Sequence, residues 1–151
     1  MNHDEARSAL DGIDHVQREF ALNGTQYPLW RHAAFGLVMG LLVLGQGLGL
    51  GPKMALFAVA MAGCAWLVTD DRRRYGLFVN GYRKGRTLPL TLALLVIVLA
   101  AMAAEVRAYS AGWPLAPKLG IAAAVFAVAL AASVLWTRIY RRELLDGGAT
   151  K

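Results

Sequence analysis

Four long apolar runs, separated by stretches that hold nearly all the charge, limit what this 151-residue chain can fold into. The runs cover about 32–50, 54–69, 88–104 and 115–137. A helix that crosses the ~30 Å hydrocarbon core of a bilayer needs about 20 such residues. Four successive runs of this kind cannot all be buried inside so short a soluble domain. We therefore predict an all-α fold, a four-helix transmembrane bundle.

The composition also favours a membrane location. Hydrophobic residues make up 57% of the chain and charged residues 17%, and the mean hydropathy is +0.44, whereas a soluble domain has about 25% charged residues. Arginine outnumbers lysine twelve to four, and alanine, leucine and glycine are abundant, which indicates a GC-rich bacterial source. The chain starts with acidic sequence and not with a basic segment and a short apolar core, so we expect no cleavable signal peptide.

The distribution of Lys and Arg predicts the orientation in the membrane. Thirteen of the sixteen lie in segments 1–31, 70–87 and 138–151, which alternate with the apolar runs so that all three fall on one side. The other three are Lys53, Arg107 and Lys118. Because short cytoplasmic loops carry the excess of basic residues, we predict a multi-pass protein of the bacterial inner (plasma) membrane with both termini in the cytoplasm.

The N-terminal segment 1–31 is predicted to be a cytoplasmic amphipathic helix and a lead-in to the first span. Apolar residues recur every three or four positions within His3–Leu22, which is the helical period. The segment has a net charge of −2, whereas the loop 70–87 on the same side has +4. We hypothesise that the helix docks on this loop, in its own or a neighbouring subunit; the alternative is a solvated helix without that contact. Residues 138–151 are predicted to form a cytoplasmic tail.

Basic and aromatic side chains are interleaved in the loop 70–87, a pattern that suits an anionic bilayer surface, where each Lys or Arg contributes about 1 kcal/mol. The topology of the chain explains the charge by itself but not the aromatic and glycine pattern. We expect the binding of lipid or of a protein partner at Arg72, Arg73, Arg74, Tyr75, Tyr82, Arg83, Lys84 and Arg86. We expect no nucleic acid partner.

Two pairs of glycines have the four-residue spacing that lets helices approach closely in lipid. They are Gly36 with Gly40, and Gly45 with Gly49. The pairs can pack helices within one bundle or form a homodimer. We favour packing within the bundle, because four helices must contact one another in any case.

The second and fourth spans begin alike, with Pro52-Lys53 and Pro117-Lys118. Alanine-rich sequence follows both pairs, and both spans end in basic and aromatic residues. This pattern fits two tandem helical hairpins of equal orientation, and it equally fits the general likeness of alanine-rich spans.

No residue pattern in the chain predicts catalysis. Ionisable residues inside a span would indicate transport or chemistry, and none lies at the centre of a span; we expect water to solvate Glu105 and Arg107 at the outer end of the third. The single Cys64 excludes a dithiol relay. No Ser-His-Asp set or P-loop is present, and the histidines lack companions at metal-ligand spacing. We expect no enzymatic activity, no metal and no cofactor.

One combination of motifs resembles a known group of proteins. The segment Tyr27–Trp30, Phe35-Gly36 with Gly40, and the loop sequence from Arg72 to Thr87 are similar to those of small uncharacterised bacterial inner-membrane proteins with four spans. The resemblance covers most of the chain. It implies fold and location, and it implies no activity and no catalytic residues.

We therefore expect a non-enzymatic integral membrane protein that associates with a protein partner or with anionic lipid through its cytoplasmic helix and basic loop. The alternative is a dimeric transporter or channel for a small solute. Its polar pathway would depend on Gln46, Thr91 and Ser133.

Overall fold

The computed structural model of the protein describes residues 27–75 and 86–147. In these two ranges the chain forms four helices and no strand, which confirms the predicted all-α fold there. The helices are α1 (Leu29–Gln46), α2 (Leu50–Tyr75), α3 (Leu88–Ser110) and α4 (Leu115–Gly147). The helix predicted over His3–Leu22 lies outside the described residues, as does the loop segment 76–85.

All four helices are long and apolar enough to cross a membrane, which indicates a multi-pass membrane protein. The shortest, α1, has 18 residues and is about 27 Å long at 1.5 Å per residue. The longest, α4, has 33 residues and is about 50 Å long. Part of α4 must therefore extend beyond a hydrocarbon core of ~30 Å.

Short turns join the helices into two antiparallel hairpins. The first helix stops at Gly47, whose N–H donates to the carbonyl of Leu44, and α2 begins three residues later. The turn after α3 contains Gly112 with φ +68°, a backbone conformation that favours glycine. Both turns lie at one end of the bundle, which we call the hairpin end. At the other end, the basic end, α1 and α3 begin and α2 and α4 finish.

The second helix is longer than the apolar run 54–69 that predicted it. Pro52 lies in the first turn of α2, where a missing N–H costs little, so the helix begins before it. At the other end the helix continues through 70–75, where the charge pattern predicts a loop. Arg72 and Arg73 are therefore residues of the last turns of α2 and not of a loop. In the same way α4 continues through 138–147, which were predicted as a tail.

The first helix is the centre of the bundle, since it packs on α2, α3 and α4. It lies especially close to α4: a Cβ atom on Gly36 would be 2.8 Å from the carbonyl oxygen of Phe126, and one on Gly40 would be 3.2 Å from that of Ala122. Small residues thus allow the two backbones to approach, as in many helix pairs in lipid.

The second helix packs principally on α1 and stands apart from the pair formed by α3 and α4. Val38, Ala60 and Leu67 form the buried contact between α1 and α2. Most of the remaining α2 surface is exposed, including Met54, Phe57 and Trp66. This arrangement leaves a cleft over α1, with α2 on one side and α3 and α4 on the other.

Candidate functional site

A cavity of about 280 Å³ lies in this cleft, in the basic half of the bundle. All four helices contribute to its walls. The lining residues are Tyr27, Arg31, Phe35, Cys64, Leu67, Val68, Asp71, Leu90, Thr91, Leu94, Ala132, Ser133, Trp136 and Thr137.

Helical spacing explains why these residues share one cavity. Arg31 and Phe35 lie four positions apart, so α1 presents them on one side. Tyr27 precedes the helix and joins them through the contact of its ring with the Arg31 guanidinium. The same spacing relates Leu90 to Leu94 on α3 and Ser133 to Thr137 on α4. Each wall is therefore a single helical face turned to the cleft.

The cavity is polar toward the basic end and apolar toward the middle of the bundle. Phe35, Leu94 and Leu67 contribute hydrocarbon on the side nearer the middle. Arg31 and Asp71 lie nearer the helix ends on α1 and α2, and they are the charged residues in the lining. Such a gradient of polarity matches that of an amphiphile placed with its polar group near the helix ends.

Arg31 and Asp71 form a bidentate ion pair that joins the basic ends of α1 and α2. The Nε of Arg31 donates to Oδ1 of Asp71 at 2.7 Å, and its Nη2 donates to Oδ2 at 2.5 Å. Asp71 is 3% exposed, and the guanidinium carbon of Arg31 lies 3.9 Å from the centre of the Tyr27 ring. Paired hydrogen bonds of this kind are strong and directional, so the ion pair fixes the position of one cavity wall.

A second polar contact joins α1 to α4 next to the cavity. The Nδ1 of His32 lies 2.8 Å from the hydroxyl oxygen of Ser133. His32 is 5% exposed, and the Tyr27 ring meets its imidazole edge-on with the centroids 6.3 Å apart. The polar rim of the cavity is thus held by two specific hydrogen-bonded contacts.

Trp136 adds a hydrogen-bond donor to the cavity wall. Its indole stacks on Tyr140 with the ring centroids 5.0 Å apart. The buried Nε1 of Trp136 has no acceptor among the residues that the structure describes. Buried polar groups normally have a hydrogen-bond partner, so this donor marks a point at which a ligand oxygen would be stabilised.

A layer of three valines lies between this cavity and the hairpin end. Val43, Val98 and Val125 are buried against one another on α1, α3 and α4. On α3, Leu94 of the cavity comes one turn before Val98, and Glu105 comes two turns after it. The described helices therefore separate the cavity from the polar residues of the hairpin end by packed hydrocarbon.

Glu105 at the hairpin end contradicts the expectation from sequence that water solvates it. Its side chain is 0% exposed, and neither carboxylate oxygen has a hydrogen-bond partner among the described residues. The carboxylate lies against Gly47, and the Lys118 side chain reaches the same point. Arg107, two residues further along α3, is exposed as expected.

The predicted lipid- or partner-binding residues do not form one site in the described parts of the chain. Arg72 and Arg73 are exposed on α2, and Arg86 is exposed in the turn before α3. Arg74 and Tyr75 belong to the last turn of α2. Tyr82, Arg83 and Lys84 lie outside the described residues.

The predicted packing glycines have different neighbours. Gly36 and Gly40 face α4, as described above. Gly45 faces α2, with Leu56 Cβ 3.7 Å from where its own Cβ would lie, and Gly49 is near the hydroxyl of Tyr109. The second pair therefore does not present one smooth face to one helix.

Sequence reasoning missed the cavity and most of the residues around it. A polar residue every fourth position, such as Ser133 and Thr137, was an available signal, but its partner His32 is 101 positions away. In the described ranges, no group of three His, Cys, Asp or Glu side chains is arranged to hold a metal ion. Comparisons with protein families, with curated proteins and with solved structures found no match.

Proposed function

We propose that this chain is a non-enzymatic protein of the bacterial inner membrane that associates with anionic lipid through its basic end, which faces the cytoplasm. The supporting observation is the separation of charge between the two ends of the bundle. Arginines at the basic end belong to all four helices or adjoin them; those with described side chains are Arg31, Arg72, Arg73, Arg86, Arg138, Arg141 and Arg142. The hairpin end has three basic residues, Lys53, Arg107 and the buried Lys118, and the acid Glu105.

This charge distribution matches what the two faces of an inner membrane favour. The acids with described side chains at the basic end are Asp70, Asp71 and Glu143, so this end keeps an excess of positive charge. Phosphates of anionic lipids attract basic residues next to a transmembrane helix by about 1 kcal/mol each. Positive charge close to the end of a span also retains that end of the span in the cytoplasm. One feature therefore supports both the orientation and the lipid class.

Cysteine labelling tests the orientation. In a Cys64→Ala background, we expect Ala111→Cys in the turn between α3 and α4 to react with an impermeant maleimide from outside the cell. A cysteine in place of Lys151 at the C-terminus should react only after the membrane is opened. The reverse pattern would contradict the proposal.

Native mass spectrometry tests the lipid class. The protein is released from micelles that contain phosphatidylglycerol and phosphatidylethanolamine with identical acyl chains. Glutamine in place of the six basic residues between 72 and 86 should reduce the retained phosphatidylglycerol. Glutamine in place of Lys53 and Arg107 is the control and should not. Equal retention in both variants would contradict lipid association at the basic end and would favour a protein partner.

A small-solute transporter remains the alternative, because the cavity contains two of the three polar residues that suggested one. Thr91 and Ser133 line it, while Gln46 is bonded to the carbonyl of Leu42 near the hairpin end. The valine layer described above opposes a polar path through a single chain. Solute uptake into proteoliposomes would favour transport if it is lost when the cavity is filled and is kept when the valine layer is widened.

A further inference from the structure

We propose that the cavity between α2 and the α3–α4 pair binds one phospholipid with a zwitterionic headgroup. One acyl chain lies along the apolar walls, the phosphate contacts Arg31, and the ammonium group contacts Asp71. This inference relies on the proposed membrane location and orientation. It concerns an intramembrane site, distinct from the basic surface to which the anionic lipid is assigned.

The length of the cavity matches one leaflet. On the α1 side its lining extends from Tyr27 to Phe35, and on α2 from Cys64 to Asp71. The interval on α2 corresponds to about 10 Å along the helix axis, whereas half of a bilayer core is about 15 Å. On α3 the lining stops at Leu94, one turn before Val98 of the valine layer. The cavity therefore suits an acyl chain from one leaflet and is too short for a transmembrane helix of a partner protein.

The walls of the cavity suit hydrocarbon, and its volume suits part of an acyl chain. An apolar cavity of about 150 Å³ holds a benzene molecule, and this one is about 280 Å³. Phe35, Leu67 and Leu94 offer apolar surface to a ligand. Because α2 packs principally on α1, a lipid can reach the cleft sideways from the bilayer without crossing the headgroup region.

The charges in the lining favour a zwitterionic headgroup over an anionic one. Among the described residues of the lining there are one cation and one anion, Arg31 and Asp71, so the net charge of these residues is zero. Their mutual hydrogen bonds show that both charged groups lie at one point of the rim. A phosphate next to the guanidinium and an ammonium next to the carboxylate keep that balance. An anionic headgroup would place uncompensated negative charge beside Asp71, which is 3% exposed.

The indole N–H of Trp136 is a hydrogen-bond donor that can contact the glycerol region of the phospholipid. The ester carbonyl oxygens of a phospholipid lie between its phosphate and its chains. Trp136 lines the cavity, and its Nε1–H has no acceptor among the described residues. An ester oxygen there would supply the acceptor, since an indole nitrogen can only donate.

Cavity filling tests the site. Ala132 lines the cavity, whereas its neighbour Ala131 is exposed on another face of α4. We expect the wild-type protein and Ala131→Phe to retain one phosphatidylethanolamine in native mass spectrometry. Ala132→Phe should reduce that fraction by about tenfold, which corresponds to about 1.4 kcal/mol. Equal retention by the two variants would overturn the site.

Single-tryptophan proteins give a second measurement that does not require a cavity-filling substitution. The other three tryptophans are replaced by Phe. Phosphatidylethanolamine that is brominated on an acyl chain should then quench the fluorescence of Trp136, and the quenching should saturate at one equivalent of lipid. Trp113 in the turn between α3 and α4 is the control and should show no saturable quenching. Quenching that is the same for both would overturn the proposal.

Asp71→Asn tests the headgroup. Removing the anion leaves Arg31 as the charge among the described lining residues, so phosphatidylglycerol should replace phosphatidylethanolamine as the preferred lipid. The measurement is the ratio of the two bound lipids, because a loosened α2 wall would lower the binding of both and would not reverse their order. An unchanged preference would overturn the assignment of the ammonium group to Asp71. Loss of phosphatidylglycerol from the variant in which glutamine replaces the six basic residues between 72 and 86, with phosphatidylethanolamine retained, would separate the two sites. If the protein fails to bind phosphatidylglycerol but passes the cavity tests, the proposed function fails and the cavity site stands.

Discussion

The carboxylate of Glu105 lies against the backbone of Gly47, in space that the Cβ of any other residue at position 47 would occupy. The Lys118 side chain reaches the same place, with its Cδ 3.3 Å from that Cβ position, and its ammonium lies 5.5 Å from the centre of the Tyr109 ring. Glycine at 47 therefore lets an acid of α3 and a base of α4 meet at the turn between α1 and α2.

This relationship predicts that Gly47→Ala destabilises the protein. The added methyl group would displace the carboxylate of Glu105, which is enclosed on all sides. Overpacking of this kind costs about 1–3 kcal/mol. The thermal stability of the protein in detergent, followed by size-exclusion chromatography, measures the change.

Gly51→Ala is the control for that variant, because a Cβ on Gly51 would meet nothing within 4 Å. Its stability should stay within about 0.5 kcal/mol of the wild type. Adding Glu105→Ala to Gly47→Ala should cost less than the two separate changes together. Additive effects would contradict a direct contact.

Gly36→Ala should weaken the packing of α1 on α4. The new Cβ would lie 2.8 Å from the carbonyl oxygen of Phe126, which is backbone and cannot rotate away. We expect a loss of about 1–3 kcal/mol, seen as a lower melting temperature in detergent. Gly120→Ala on α4, where a Cβ would meet nothing within 4 Å, should have no such effect. Equal stability of the two variants would mean that α1 and α4 are further apart.

Asp71→Asn should loosen α2 from α1 at the basic end. It removes the charge that receives two hydrogen bonds from Arg31, and breaking one partner of a buried pair costs about 3–5 kcal/mol. Because Arg31 is 19% exposed, we expect the lower part of that range. Crosslinking yield between cysteines placed on the basic ends of α1 and α2 would report the loosening. The exchanged pair Arg31→Asp with Asp71→Arg should recover part of the crosslinking yield. If the exchange recovers none of the yield, that result would argue against the ion pair.

Ser133→Ala should reduce stability moderately. The change removes the partner of the buried His32 ring nitrogen, and one such hydrogen bond contributes about 1 kcal/mol. Ser110→Ala is a matched control, because the Ser110 hydroxyl is exposed and bonds only the carbonyl of Val106 on its own helix among the contacts described. Melting temperatures that fall equally in both variants would contradict a specific contact between α1 and α4.

Sequence reasoning succeeded where a local property decided the structure. Apolar runs of sufficient length predicted four helices, and the glycines at 36 and 40 pointed to a close helix contact. The charge of 70–75 indicates a polar segment beyond the span, but it does not reveal that α2 continues through Asp71. The carboxylate of Asp71 is stabilised by an arginine 40 residues away, and no local pattern reveals that partner.

Glu105 shows the same limit at the other end of the bundle. Its position near the end of a span suggested solvation, and a helix drawn alone would leave it exposed. The structure encloses it because Gly47 has no side chain and because α4 turns Lys118 toward it. Whether a charged residue near the end of a span is exposed to water or enclosed depends on which face of the neighbouring helix lies opposite it.

The sequence by itself determined the four apolar helices of the described ranges and the position of most described arginines at one end, with Arg107 at the other, because hydropathy and charge belong to each residue and are ordered along the chain. Only the tertiary structure decided that α2 stands apart, that Arg31 meets Asp71, and that a polar-rimmed cavity lies between the hairpins. Helices in lipid gain little from apolar burial alone and associate through close packing and polar contacts. Those depend on which faces meet, and distant parts of the chain supply them.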